Sequence, residues 1–111
     1  MENINEDVKN ISVKIRQGFV TPGYAAWVPF RRTIIYNKNV DVTRRLIAHE
    51  LVHVVQHERY GLMFYPRYFW GWVRAGFDYF YIPMEMEARK GEKESFYLSW
   101  AEELMRKHGL L

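Results

Sequence analysis

The pentapeptide His49-Glu50-Leu51-Val52-His53 constrains this chain more than any other feature. On a helix advancing 100° per residue, histidines four apart lie about 40° from one another and project from consecutive turns of one face. Two neutral imidazoles so placed can chelate one ion, and zinc suits them. Glu50 lies about 60° round the helix from His53, on the side away from His49. Its carboxylate is expected beside the metal rather than on it, as general base. Zinc lowers the pKa of its bound water to about 7, and the carboxylate takes the proton as that water attacks a carbonyl. Leu46, Ile47, Leu51, Val52, Val54 and Val55 surround the motif with apolar side chains that can hold such a helix rigid.

With 111 residues, 49% of them hydrophobic and 17% aromatic, the chain is read as a single domain, 1–111, with ample core material. It contains no cysteine, which excludes disulfides and thiolate ligands. Sixteen basic residues against 13 acidic give a net charge of +3. Arg31, Arg32, Arg44 and Arg45 are scattered among acids without a recognised nucleic-acid motif, so no nucleic-acid partner is expected. Residues 1–7 lack the basic start and apolar run of a signal peptide, and the apolar stretch 64–84 is interrupted by Arg67, Arg74, Asp78 and two prolines. A cytoplasmic, soluble chain without a membrane span is expected, with the aromatic stretch leaving peripheral membrane contact open.

Ile4, Val8, Ile11 and Ile15 recur at helical spacing and predict a helix ending near Gly18, although the alternation Ile11-Val13-Ile15 also suits a strand. Thr21-Pro22-Gly23 breaks the chain, and β-branched residues in 31–36 predict a short strand. Asp41 can cap a helix over 42–59 that stops at Gly61. Pro66 suits a further helix with Phe69, Trp70, Val73 and Phe77 on its apolar face, and Pro83 opens one carrying Glu85, Glu87 and Ala88. Gly91 either breaks that helix or lets it run on. A last helix is expected from about Ser99, with Trp100, Leu104 and Leu111 as its apolar side. The fold class is mainly α with a small β element (α+β).

A catalytic zinc site has three protein ligands and an open position. His57 points about 80° from His49 on the wheel, so a single straight helix cannot easily bring all three histidines to one ion. It is read as a surface or supporting residue. Better candidates for the third ligand are Glu85 and Glu87, which can close the site from a second helix. Tyr79, Tyr81 and Tyr97 are available as donors to a developing oxyanion.

These features resemble the gluzincins, zinc metallopeptidases with His-Glu-x-x-His on one helix and a zinc-binding glutamate on a later one. Glu85-Met86-Glu87-Ala88 matches the family's Glu-x-x-Ala pattern, and the resemblance selects Glu85 as ligand. Arg89 stands where the family often has an Asp that supports a zinc histidine, which leaves Glu87 as an alternative support or ligand. Length narrows the match to the minigluzincins, minimal soluble members of the group, with the motifs covering 41–89. The resemblance implies a zincin-like catalytic domain with Zn2+ as cofactor, a peptide or protein substrate bound along an edge strand (residues 33–36 by analogy), and hydrolysis of peptide bonds. It also implies a latent, zymogen-like form closed by a C-terminal segment. Here that segment is 99–111, and His108 could take the metal's open position. The chain is then a monomer or a dimer that swaps this segment. The rival reading is a non-catalytic zinc module in which the metal only braces the fold.

Overall fold

Thr33, Ile34 and Ile35 are buried in a strand with neighbours on both sides, and the rest of the sheet is built round them. The computed structural model describes residues 11–20, 24–30 and 32–111. Among these the order is β1 (Lys14–Gln17), β2 (Ala26–Phe30), β3 (Thr33–Tyr36), α1 (Arg44–Tyr60), α2 (Phe64–Arg74), α3 (Pro83–Gly91) and α4 (Ser95–Lys107), with 3-10 turns at Gly61–Met63 and Tyr79–Tyr81. The architecture is α+β, mainly helical with a small three-stranded sheet of order β1-β3-β2. β1 runs parallel to β3, and β2 pairs with β3 as an antiparallel hairpin.

The sheet corrects two expectations. Ile11 and Ile15 do not continue a helix: Ile15 sits in β1 opposite Ile34, and Val13 and Ile15 are both buried at strand spacing. Pairing with β3 outweighs the helical recurrence, as tertiary context commonly does for β-branched residues. Ile4 and Val8 lie outside the described residues, as does the Thr21-Pro22-Gly23 break. The second difference is β2. Pro29 argues against a strand because it has no N–H for a ladder, yet it is tolerated at an edge or a bulge. β2 is such an edge, and its register shifts between Trp27 and Phe30. Among the described residues β2 is therefore one edge of the sheet and β1 the other, and residues 33–36, expected at the edge, lie in the middle.

α1 is the predicted motif helix. Thr43, not Asp41, caps it, its Oγ1 accepting from Leu46 N at 3.1 Å. It ends as expected at Gly61, whose φ of 54° suits a residue without a Cβ. Its back packs on α4 and the sheet: Ile47, Ala48, Leu51 and Val54 are fully buried with Ile34, Trp100, Ala101 and Met105.

Two further expectations change. α2 buries Phe64 and Gly71, whereas Phe69, Trp70 and Phe77, predicted as the packed face, are 58%, 59% and 61% exposed. The last helix begins at Ser95 rather than Ser99, and Leu111 is exposed.

Candidate metal centre

Small residues set how close α3 comes to α1. Ala88 is fully buried, and a Cβ added to Gly91 would meet Val52 Cγ2 at 2.4 Å. Gly91 is thus a packing residue, and α3 ends at it rather than running on. This close approach carries the carboxylates of Glu85 and Glu92, seven residues apart and so on one face, onto the histidines of α1.

The Glu85 carboxylate lies 3.1 Å from His49 Nε2 and 3.2 Å from His53 Nε2. These three residues offer ligand atoms that all fall within 4.8 Å of one another. Donors on a tetrahedral zinc ion are about 3.3 Å apart for bonds near 2.05 Å, so the spacing fits.

The outer nitrogens are committed elsewhere. His49 Nδ1 is 2.7 Å from Glu92 Oε1, and His53 Nδ1 is 2.8 Å from Gln56 Oε1. Both partners accept, so both Nδ1 atoms donate, and in the neutral rings the Nε2 lone pairs face Glu85. Lone pairs aimed at a carboxylate repel unless a proton or a metal ion stands between them. Among the described residues, this donor set fits a cation of the zinc type.

Charge follows the same geometry. Burial is the largest single influence on His49 and opposes its charge, but hydrogen bonding to Glu85 and the acids Glu50 and Glu92 outweigh it and raise its pKa to about 9. Burial likewise opposes the charge of His53, and Glu85 and Glu50 overcome it, giving a raised value. Burial would raise Glu85, but its hydrogen bonds to His49 and His53 hold it well below the usual carboxylate range. Glu50, 5% exposed, is pushed up mainly by burial, with His53 and His49 opposing.

The metal-free fold consequently gains stability from protonated His49 below its reference value of 6.5 and loses it as pH rises through about 9. Metal binding must displace that proton. Affinity for zinc is expected to rise by up to about tenfold per pH unit between pH 6 and 9 for each proton displaced. Calorimetry at pH 7 in buffers of different ionisation heat should show protons released on metal uptake. Proton-neutral uptake would mean that the histidines do not bind the ion.

Each predicted site residue can now be placed. His49, His53 and Glu85 come together, with Glu50 beside them. Glu87 does not join them: it is exposed, accepts from Gln56 Nε2 at 2.7 Å and pairs with Arg59. Since Gln56 also holds His53, Glu87 supports the site at one remove. His57 is buried rather than on the surface, its Nε2 3.0 Å from the Val28 carbonyl and its ring stacked on Phe64 at 3.7 Å. It ties α1 to β2. His108 is outside the cluster, its Nδ1 donating to Leu104 O at 2.8 Å while its Nε2 accepts from Ile15 N at 3.3 Å. Its Nε2 joins the end of α4 to β1 and its Nδ1 bonds within the last turn of α4, so both nitrogens are committed away from the cluster.

Segment 99–111 likewise does not cover the site. Two cavities flank Glu50, of about 550 and 330 Å³, and α4 lines neither. Trp100 and Met105, each 1% exposed, are instead core residues.

Sequence reasoning missed Glu92, Gln56 and Tyr68. Glu92 takes the supporting role left open by Arg89. It is itself held by Arg45, and it lies two helical turns after Glu85, a spacing that could have revealed it. Gln56 lies one turn after His53. Tyr68 donates to Glu85 Oε2 at 2.6 Å. Burial first, then the Glu85 charge, raise its hydroxyl and keep it a donor. Glu92→Gln is expected to weaken zinc binding roughly 10- to 100-fold while Glu87→Ala changes it less, as competition with a chromophoric chelator can measure.

No family model, curated protein or solved structure matches the chain.

Proposed function

We propose that this chain is a zinc-dependent hydrolase of peptide bonds, of the gluzincin kind. The observation that carries the reading is the convergence of His49 Nε2, His53 Nε2 and the Glu85 carboxylate, with both Nδ1 atoms anchored outward and Glu50 buried alongside. A zinc ion held by those three groups would supply Lewis acidity toward a substrate carbonyl and acidify water.

The remaining work belongs to the chain. Glu50 accepts the proton of the attacking water and passes it to the leaving amine. Burial and the raised pKa make its carboxylate a stronger base than a solvated glutamate. Glu92 and Gln56 keep the two imidazoles oriented. Tyr79 lines both cavities with Glu50, and its hydroxyl, raised mainly by burial and then by the Glu85 charge, stays protonated and able to donate to an oxyanion.

β2 is the edge strand on the side of the cavities, both of which Ala26 lines, so an extended peptide laid beside it passes over Glu50. A purely structural zinc module has no use for a buried carboxylate between two cavities, and this favours the enzyme.

The test is metal content together with cleavage of an unfolded protein. One zinc per chain, hydrolysis lost on chelation and hydrolysis restored by zinc are expected. A stoichiometric metal whose removal unfolds the chain, with no hydrolysis at any stage, would establish the structural module instead.

A further inference from the structure

Segment 61–82 contains ten aromatic residues and leaves much of that surface outside the core. Leu62 is 97% exposed, and Phe69, Trp70 and Phe77 are more than half exposed. Phe69, Trp72 and Phe77 are in ring contact, with centroids 5.9 and 4.9 Å apart, so the surface is one continuous patch. A patch of this kind on a folded chain marks a binding face.

Its charges indicate what it binds. The segment's charged residues are Arg67, Arg74 and Asp78. Both arginines are exposed, Arg67 resting over the Tyr60 ring at 4.5 Å, while Asp78 accepts from the Phe80 backbone N–H and caps the 3-10 turn. On the α2 wheel, Arg67 and Arg74 lie together to one side of Trp70, about 40–60° from it. Aromatic side chains bordered by arginine, without an acid paired to either arginine among the described residues, match the boundary between the headgroups and acyl chains of an anionic bilayer. A second copy fits less well, because a two-fold contact would set this basic face against itself. No helix among the described residues is long and apolar enough to cross a membrane. At 1.5 Å per residue, the 11 residues of α2 reach only about 16 Å, so α2 would lie in the plane of the interface.

We propose that α2 and the following turn form a docking face for anionic lipid bilayers. Phe69 and Trp72 also line the larger cavity beside Glu50, so docking sets the cleft at the membrane surface. The proposal does not depend on hydrolysis, and its assay reads binding alone.

The full chain is sedimented with vesicles of phosphatidylcholine, or of phosphatidylcholine containing a minority of phosphatidylglycerol, at low and high salt. Binding to the mixed vesicles that weakens with salt is expected, with a blue shift of tryptophan emission. The double variant Phe69→Ser/Trp70→Ser removes exposed side chains and should keep its helical circular dichroism. It should lose binding at least about tenfold. Arg67→Gln/Arg74→Gln should lose the preference for phosphatidylglycerol, also by roughly tenfold. No binding to either vesicle, or equal binding by the wild type and the serine variant, would overturn the proposal. A concentration-dependent dimer abolished by Phe69→Ser/Trp70→Ser, without vesicle binding, would assign the face to self-association and overturn it too.

Discussion

Glu50→Gln is expected to lower peptide hydrolysis by about 10²- to 10⁴-fold while leaving zinc content and fold intact. The amide keeps the shape of the side chain, so both flanking cavities keep their walls, but it cannot take a proton from water. It also removes a buried carboxylate whose ionisation burial opposes, so the melting temperature should stay level or rise. His49→Ala differs, because it takes a donor from the metal and leaves Glu92 and Glu85 without their shared partner. Zinc content should fall well below one per chain. Rates and metal content measured together separate the two effects. A Glu50→Gln enzyme retaining the wild-type rate would remove Glu50 from the chemistry.

The centre was legible in sequence where it depends on one helix. His49, Glu50 and His53 are related by helical geometry alone, and any helix over 44–60 places them alike. Glu85 had to come from resemblance, because its position depends on how α3 packs against α1. That packing is set by Ala88 and Gly91, whose smallness has meaning only once Val52 is known to face them. Glu92 follows from the same contact.

β2 was missed for a different reason. Its proline is a local signal against a strand, and only the sheet order shows that it stands at an edge. α2 was misread because nonpolar side chains at helical spacing suit a core and an exposed binding face equally. Phe69 and Trp70 have the pattern of a buried stripe, yet Phe64 and Gly71 take the core side. Periodicity reports that a helix has an apolar face, not what covers it.

Removing residues 99–111 is expected to unfold the chain rather than activate it. Trp100, Ala101, Leu104 and Met105 together enter the cluster that holds the back of α1 against the sheet. Each of the three large side chains contributes about 1.5–3 kcal/mol when fully buried, against a total stability on the order of 5–15 kcal/mol. Trp100→Ala alone should cost about 3–5 kcal/mol, since a cavity is left between α1 and α4. A loss of that size in the unfolding free energy from urea titration, with any surviving folded protein keeping its zinc, is the expected result, because the histidines face away from Trp100 toward α3. The truncated chain should show little helical circular dichroism and no stoichiometric metal. Glu102 makes the contrast within the same helix. It is partly exposed and pairs with Arg44 at 3.0 Å and Arg106 at 2.9 Å, so Glu102→Ala should leave the urea midpoint nearly unchanged. A folded, zinc-loaded truncation that cleaves peptides faster than the full chain would return α4 to the role of a covering segment. That outcome requires α1 to hold its place with Ile47, Leu51 and Val54 stripped of their partners, which the packing of this core opposes.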